Sequence, residues 1–359
     1  MTQSQTVAPT RGLSAVPGAV PGPVPAWLDA VLARFDVGRA VAVERTAHGL
    51  LNRVWRVATD DGRTWVLKQY LDDAGRASSG ALADQHRTIA ALAHAGVPTV
   101  PPVTAADGRT LVLQRGRRYA LFPFVAGAPP ATGSGLPPAA CAELGALLGT
   151  IHAELRRLRP PCADAAPWPS ADPAETQRTI AELLRAAHAR APREPFDALA
   201  ERRLRERRVL VATHAHLRPG PRSAPPAGWV HGDFHPLNLL YRDDRPVAVL
   251  DWDRLGVRPV AEEAVRAATQ FFCDDRSGVL DLPRVRAYSR AYRAASGCSS
   301  EELAAGVHRV WWERLNDFWM LRWRYTRRDD RASALFPAAA AQIVWWSEEY
   351  QQVRDAYVN

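Results

Sequence analysis

The predicted strands and helices of this 359-residue chain are segregated along the sequence. Alternation of apolar and polar residues predicts strands at 40–46, 53–59, 64–70, 110–114 and 118–124. One predicted helix, 80–95, interrupts them, and beyond Gly127 the spacing of apolar residues is mainly helical. A small sheet followed by a run of helices predicts an α+β fold with two lobes, one rich in strands and one in helices.

Turn residues and composition set the predicted boundaries. The segment Asp60-Asp61-Gly62 predicts a tight hairpin between the second and third strands, because Gly adopts positive φ without strain. Residues 1–25, rich in Pro, Ala, Gly and Ser, are predicted to form a disordered leader. We expect an N-terminal lobe over 26–125 and a C-terminal lobe over 126–359.

The C-terminal lobe is predicted to be mostly helical. Helices are expected at 141–158, 175–188, 196–216, 301–328 and 338–357. A short pair of strands, 239–241 and 247–250, lies among them. The polar residues that flank this pair are the candidates for a functional site.

Composition limits the class of protein. With 46 Lys and Arg against 38 Asp and Glu, the formal charge is +8, which suits anionic ligands such as nucleotides or reflects an arginine-rich solvated surface. Four scattered cysteines without a CxxC pair indicate neither a zinc site nor a disulfide framework. No apolar run is long enough to span a bilayer and no secretory signal is evident, so we expect a cytoplasmic protein without a membrane partner.

One segment combines the side chains that phosphoryl transfer requires. His231-Gly232-Asp233 is followed by Asn238, and Asp251 comes directly after the apolar run 247–250. Transfer of a phosphoryl group to a hydroxyl needs an acceptor for the hydroxyl proton and oxygen ligands for Mg²⁺. Carboxylate and amide oxygens are the ligands that this cation prefers. The pattern indicates a Mg²⁺-dependent phosphoryl-transfer site; the alternative is that Asp233 and Asn238 only cap turns.

The same segment resembles the signature of a known family. His231-Gly232-Asp233-x4-Asn238 followed by Leu250-Asp251 is similar to the motif of the aminoglycoside phosphotransferase and choline kinase-like family. The resemblance covers residues 40–350 and is strongest over 229–263. It implies the two-lobed protein kinase-like fold, with a small antiparallel β-rich N-lobe and a larger, mostly helical C-lobe. It also implies an enzyme that transfers the γ-phosphate of ATP to a hydroxyl group of a small molecule.

The resemblance assigns roles by position in the motif. Asp233 would be the catalytic base that orients the acceptor hydroxyl. Asn238 and Asp251 would hold Mg²⁺, Asp251 in the place of the DFG aspartate of protein kinases. His231 is expected to fix the catalytic loop by hydrogen bonds, and Glu263 to brace the same loop.

The N-lobe is expected to bind the nucleotide. Residues 48–53 lie between two predicted strands, where a loop over the nucleotide is expected, with Gly49 and Asn52 as its contacts. Val66-Leu67-Lys68 resembles the Val-Ala-Ile-Lys element, which would place Lys68 over the α- and β-phosphates. The segment 118–127 resembles the hinge strand of the family.

Two details of this lobe leave alternatives open. Adenine is expected to contact apolar side chains and backbone groups near Phe122 and Phe124, but the segment also reads as a plain edge strand, because Pro123 has no N–H. Gln85 stands where the family usually has a glutamate partner for the lysine, and it brings no charge. Either Asp84 substitutes for that glutamate, or ATP is the main partner of the lysine.

The acceptor stays open among aminoglycosides, sugars, amino alcohols and similar molecules. Trp311, Leu315 and Trp319 are expected to share a helical face, mostly as core and otherwise as a wall for a sugar or a quaternary ammonium. Four acidic residues would suit a polycationic acceptor, although arginines lie among them. The acidic residues are Glu313, Asp317, Glu348 and Glu349, and the arginines are Arg314, Arg322 and Arg324.

Two other functions compete with an active kinase. Gln85 favours a nucleotide-binding pseudokinase with a scaffolding role. The arginine-rich region 202–222 favours a nucleic-acid binder, but Glu201 and Glu206 lie within or beside it, and we expect no nucleic-acid partner. The sequence predicts no oligomeric state.

Overall fold

A computed structural model of the chain describes residues 24–46, 52–71, 78–132, 135–160 and 168–359. The chain divides into two compact units. The first comprises the residues up to His86 together with Pro101–Phe124, and the second comprises Arg87–Val100 and Val125–Asn359. The predicted leader lies outside the described residues, apart from its last two positions.

The first unit is built on one antiparallel sheet. Its strands are β1 (Ala40–Arg45), β2 (Arg53–Thr59), β3 (Thr64–Tyr70), β4 (Val112–Gln114) and β5 (Arg117–Pro123), in the order β1-β2-β3-β5-β4. Gly62, at φ +78°, makes the tight turn between β2 and β3, as predicted. Helix α1 (Ala26–Leu32) precedes the sheet and α2 (Ser79–His94) follows β3.

Alternation along the strands explains the core of this unit. Val57 and Leu67 point to one face, where they pack against Leu28 and Val31 of α1. Both strand residues and both helix residues are fully buried. Lys68 lies on the opposite face, because successive side chains of a strand alternate between faces.

The second unit is mostly helical. Its helices are α3 (Pro138–Leu158), α4 (Pro173–His188), α5 (Pro195–His214), α6 (Val260–Phe271), α7 (Leu282–Ser296), α8 (Ser300–Asn316), α9 (Trp319–Thr326), α10 (Phe336–Glu348) and α11 (Tyr350–Val358). Two short antiparallel pairs join β6 (Ala227–Val230) to β9 (Gly256–Pro259) and β7 (Leu239–Arg242) to β8 (Arg245–Val249). The predicted division into a small antiparallel β-rich part and a larger helical part is confirmed.

Helices α3 and α7 pack closely because glycines face the partner backbone. A Cβ at Gly145 would lie 2.1 Å from the carbonyl oxygen of Tyr288, and a Cβ at Gly149 would lie 2.7 Å from that of Tyr292. Both tyrosines are buried. This close contact fixes the part of α3 that reaches the candidate site.

The C-terminal helices differ from the prediction at one break. The helical stretch predicted at 301–328 consists of α8 and α9, because Asp317 is extended, at φ −99° and ψ 129°, and its carboxylate accepts a hydrogen bond of 3.0 Å from the amide of Trp319. Trp311 and Leu315 are buried on α8, whereas Trp319 begins α9. The prediction that these three residues share one helical face is therefore wrong for Trp319.

The stretch predicted at 338–357 is likewise divided, into α10 and α11, at Glu349. Within the described ranges, no helix is long and apolar enough to cross a membrane.

Candidate active site

The motif residues lie on a loop framed by the two strand pairs of the second unit. Strand β6 leads into the loop and pairs with β9, with Val230 opposite Gly256. A single 3₁₀ turn, Pro236–Asn238, leads from the loop into β7. We call residues 231–238 the catalytic loop.

Gly232 has a backbone that only glycine adopts easily. Its φ is +84°, and a Cβ at this position would lie 2.2 Å from the carbonyl oxygen of Arg254. Both the left-handed conformation and the close approach exclude a side chain. The glycine of the motif therefore joins the catalytic loop to the segment that follows β8.

Glu263 of α6 holds the start of the loop. Its carboxylate accepts hydrogen bonds from the amides of His231, at 3.0 Å, and of Gly232. It also accepts one from His152 of α3, at 2.9 Å, and Tyr292 of α7 contacts the other nitrogen of that imidazole, at 3.0 Å. Burial opposes the charged form, but the hydrogen bond from His152 and those from the backbone outweigh it, so the pKa of Glu263 lies below its usual value. The expected bracing role of Glu263 is confirmed.

His231 connects the loop to the end of β8. Its Nδ1 accepts a hydrogen bond of 3.2 Å from the amide of Asp233, so the ring proton is on Nε2, which donates to the carbonyl of Leu250 at 2.9 Å. The ring is buried and packs against Trp252, with 4.5 Å between the ring centroids. Both ring nitrogens are occupied by backbone, which confirms a structural role for His231.

Asn238, at the end of the loop, is hydrogen-bonded both to Asp233 within the loop and to Leu250 directly after β8. Its side-chain amide donates to the carbonyl of Asp233 at 2.9 Å, and its own carbonyl accepts from the amide of Leu250 at 2.8 Å. The first bond fixes the orientation of the carboxamide and leaves its oxygen as the group able to contact a cation. Asp251 follows Leu250 directly, in a left-handed conformation at φ +55°, and is exposed.

These two residues suit Mg²⁺ in the way that nucleotide-dependent sites do. Mg²⁺ takes few protein ligands there and completes its octahedron with phosphate oxygens and water. Among the described residues, no group of three or more His, Cys, Asp and Glu side chains is arranged to hold a metal by itself. One amide oxygen and one carboxylate match a cation that arrives with a nucleotide.

The carboxylate of Asp233 is one-third exposed and lies between the imidazole of His235 and the guanidinium of Arg254. His235 Nε2 is 3.8 Å and Arg254 Nε is 3.7 Å from its Oδ2 atom. Both distances exceed that of a hydrogen bond. The carboxylate therefore keeps its lone pairs available for the proton of an acceptor hydroxyl.

His235 is neutral near pH 7. Burial lowers its pKa, against the opposing effect of Asp233 and Asp251. Its Nδ1 accepts a hydrogen bond of 3.2 Å from the amide of Leu237, which stabilises the 3₁₀ turn. The negative charges of Asp233 and Asp251 both raise the pKa of His235, so both carboxylates lie in the vicinity of this imidazole.

In the first unit, Lys68 lies in the middle of β3, opposite Val54 of β2 and Ala120 of β5. Its Nζ is 5.4 Å from the centre of the Tyr70 ring. His86 of α2 is buried nearby, with Nε2 3.0 Å from the hydroxyl of Tyr70 and Nδ1 2.7 Å from that of Thr110. Burial and then the charge of Lys68 lower the pKa of His86 from 6.5 to about 4.

The other predicted nucleotide contacts are at the ends of the sheet. Gly49 lies outside the described residues. The side-chain oxygen of Asn52 accepts from the amide of Leu71, at 3.2 Å, and so holds the end of β3. Phe122 is half-buried, and its ring makes an edge contact with His86 at 6.0 Å. The nucleotide contacts expected of Gly49, Asn52 and Phe122 stay predictions.

Phe124 differs from a free hinge residue. Its amide donates to the carbonyl of Thr64 at 3.2 Å, and its exposed ring lies under the guanidinium of Arg56 at 4.5 Å. Strand β5 has two neighbours where β4 pairs with it and one neighbour at Pro123, which explains how the strand accommodates a proline.

The acidic residues considered for a polycationic acceptor are partly engaged within the fold. Glu313 forms an ion pair with Arg266, and Asp317 caps the start of α9. Two of the arginines among them also bind protein atoms: Arg314 donates to Thr269 at 3.0 Å, and Arg324 pairs with Glu194. The described contacts give no support to an acidic acceptor cleft here.

The arginine-rich helix α5 is likewise occupied by its own fold. Arg203 pairs with Glu206 at 2.7 Å, and Arg205 pairs with Glu201 at 3.0 Å. Arg207 is buried, donates to the carbonyl of Arg314 at 2.7 Å, and has its pKa lowered to about 10 by burial. These contacts weaken the nucleic-acid reading of the region.

Three residues of these networks do not follow from the motif. His152 and His86 each occupy a helical face that is otherwise apolar, which is the signal for a buried, hydrogen-bonded histidine. Arg254 lies in a charged segment after Asp251, and its nearness to Asp233 depends on the turn that brings it back. No spacing in the sequence indicates it.

Known proteins resemble the chain in sequence and in fold. The model of the phosphotransferase enzyme family matches residues 42–298. Curated relatives include homoserine kinases; that of Methylobacillus glycogenes is 30% identical over 292 residues, covering 79% of this chain and 82% of its own length.

Solved structures agree on the fold. The aminoglycoside phosphotransferase of Alicyclobacillus acidocaldarius superposes with a TM-score of 0.63 at 17% identity, over 94% of this chain and 96% of that chain. A spectinomycin phosphotransferase, solved with ADP and spectinomycin, gives 0.60 at 12% identity, over 87% and 94%. The predicted kinase-like fold is confirmed.

Proposed function

Because the chain belongs to the phosphotransferase enzyme family and is a small-molecule kinase with a hydroxyl acceptor, we propose that it transfers the γ-phosphate of ATP, with Mg²⁺, to the hydroxyl of homoserine. This activity suits the cytoplasm, where ATP is available. The observation that carries the proposal is the state of Asp233: a half-buried carboxylate to which none of the described residues donates a hydrogen bond, on a loop fixed by buried contacts.

Asp233 would act on the acceptor hydroxyl. A carboxylate that keeps its lone pairs free accepts the hydroxyl proton as the oxygen attacks phosphorus, and the loop keeps it in position. Phosphoryl transfer depends mainly on such positioning and on neutralising charge. The hydrogen bonds that the loop amides donate to the carboxylate of Glu263 and to the imidazole of His231 support this role.

Asn238, Asp251 and Lys68 would hold the metal-bound nucleotide. The first two offer an amide oxygen and a carboxylate on adjoining backbone, joined by the hydrogen bond from Leu250 to Asn238. When bound there, Mg²⁺ neutralises charge on the phosphate oxygens. Lys68, in the third strand of the sheet, would contact the phosphates, and Gly49, Asn52, Phe122 and Phe124 would contact the rest of the nucleotide.

Homoserine is favoured over an aminoglycoside for two reasons. The curated relatives are homoserine kinases, whereas the antibiotic kinases resemble the chain at low identity and bear on the fold alone. Arg254 also lies beside Asp233, and its charge would repel a polycation at the point where the hydroxyl must bind.

The test is turnover by the purified protein with Mg²⁺ and ATP. Homoserine, choline, a sugar and an aminoglycoside are compared as acceptors, and the phosphorylated product is identified by ³¹P NMR. We expect homoserine to be used best. Asp233→Asn should lower kcat at least about a hundredfold while ATP affinity is kept.

The matched control is Asp243→Asn, the same change in the exposed turn between β7 and β8, where asparagine also tolerates the left-handed backbone. It should leave turnover unchanged. Near-normal turnover by Asp233→Asn would refute the assignment of the base. ATP binding without turnover of any acceptor would support the pseudokinase instead.

A further inference from the structure

We propose that Arg254 binds the carboxylate of the acceptor and thereby selects hydroxyl compounds that carry an anionic group. This inference rests on the proposed function and deepens it. It concerns the contact that distinguishes an amino acid from an amino alcohol with the same hydroxyl.

Arg254 is directed towards the site by a rigid turn. Its neighbour Trp252 is buried, and Trp252 Nε1 donates to Thr99 at 2.9 Å. The amide of Leu255 closes the turn by donating to the carbonyl of Trp252, at 2.9 Å. The backbone of Arg254 itself packs against Gly232, where no Cβ would fit. The base of this side chain is therefore fixed relative to the catalytic loop.

The guanidinium is available to a ligand. Its side chain is 54% exposed, and Nε lies 3.7 Å from the carboxylate of Asp233, which is too far for a hydrogen bond. In the described part of the chain, no protein acceptor hydrogen-bonds its N–H groups. Five donors next to the catalytic carboxylate thus await an acceptor.

The carboxylates around the loop repel an anionic acceptor, so such an acceptor needs a cation beside its binding position. Asp233 and Asp251 are both carboxylates near this point, and His235 contributes no charge near pH 7 because burial lowers its pKa. An acceptor that carries a carboxylate meets repulsion from both, unless a cation lies beside its binding position. Among the described residues, two side chains lie within ion-pair distance of Asp233: the neutral His235 and the cationic Arg254.

The reach of the side chain fits an amino acid. In homoserine the hydroxyl and the carboxylate are at opposite ends of a short aliphatic chain. A hydroxyl hydrogen-bonded to Asp233 brings the carboxylate into the neighbourhood of the guanidinium, since Arg254 Nε is 3.7 Å from Asp233 Oδ2. The planar guanidinium binds a carboxylate through two parallel hydrogen bonds, which lysine does not reproduce.

Three alternatives make different predictions. If Arg254 contacts the γ-phosphate, its loss affects every acceptor equally and raises KM for ATP. If it only orients Asp233, its loss lowers kcat equally with every acceptor. If it is merely solvated, its loss changes nothing. Recognition of the carboxylate alone predicts an effect that depends on the acceptor.

The experiment pairs two acceptors with three variants. L-homoserine is compared with 3-aminopropan-1-ol, which has the same hydroxyl and amino groups without the carboxylate. The variants are Arg254→Gln, Arg254→Lys and the control Arg258→Gln, which removes an exposed arginine of β9. Thermal unfolding verifies that each variant is folded.

We expect wild type to prefer homoserine. Arg254→Gln should lower kcat/KM for homoserine by about 10- to 100-fold, as for loss of hydrogen bonds to a charged group, mainly through KM. With 3-aminopropan-1-ol it should change little, Arg254→Lys should recover part of the loss, and Arg258→Gln should match wild type.

An equal effect of Arg254→Gln on both acceptors, or no effect on either, overturns the inference while homoserine kinase activity stands. A wild type that uses both acceptors equally well overturns it too. A wild type that uses neither refutes the proposed acceptor, and the inference with it.

Discussion

Protonation of His86 should destabilise the fold in mild acid. The imidazole is 1% exposed, and its two nitrogens are hydrogen-bonded to the hydroxyl groups of Tyr70 and Thr110. Lys68 lies nearby. A proton on His86 would place a buried positive charge near the ammonium of the half-buried Lys68. Burial and Lys68 together lower the pKa of His86 from 6.5 to about 4, so the native state keeps the ring neutral.

The size of the effect follows from the two pKa values. Below pH 6.5 the unfolded chain binds a proton that the native state does not bind until the pH reaches about 4. The free energy of unfolding therefore falls as the pH decreases through this window, by about 1.4 kcal/mol per pH unit. The loss is about 2 kcal/mol at pH 5 and about 3 kcal/mol in total.

Urea unfolding of wild type and His86→Gln between pH 7.5 and 5 measures this contribution. The variant should be less stable than wild type at pH 7.5, since it loses packing, but the difference should shrink by about 2 kcal/mol at pH 5. His94→Gln, at an exposed position of the same helix, is the control and should parallel wild type. A difference between wild type and His86→Gln that stays constant over this range would refute the reasoning.

Two further predictions concern the second unit and the nucleotide. Asp251→Asn should abolish most of the thermal stabilisation given by Mg·ATP and little of that given by metal-free ATP, whereas Lys68→Ala should weaken both. If Mg·ATP stabilises wild type and Asp251→Asn equally, Asp251 is not part of the metal site. Glu263→Gln should lower kcat at least about tenfold and leave KM for ATP nearly unchanged, because a neutral carboxamide replaces the charged acceptor of the loop amides. Steady-state kinetics measures both constants, and an unchanged kcat would contradict the positioning role.

The sheet and the catalytic loop could be predicted because the sequence signals for them lie within short segments of the chain. Strands β2 and β3 have the predicted bounds, since alternation and the turn at Gly62 lie within the segment itself. The loop follows from a motif in which the backbone amides of His231 and Gly232 donate to the carboxylate of Glu263.

Other features depend on contacts between distant segments. The break between α8 and α9 is made by the capping carboxylate of Asp317, within a stretch whose apolar residues keep a helical spacing. That spacing alone favours one long helix. Whether the helix ends at this aspartate also depends on packing, for example of the buried Phe318.

The motif divides its work between buried and exposed atoms. The imidazole of His231 and the carboxylate of Glu263 are buried and hold backbone, so their replacement would leave unsatisfied groups in the interior. Asp233 and Arg254 keep exposed polar atoms to which no described residue hydrogen-bonds, and in our proposal the substrate provides their partners. Asp233 is visible in the sequence because it stands within the motif, next to residues whose contacts the fold fixes. Arg254 stands outside the motif, so it becomes visible only when the structure brings it to Asp233.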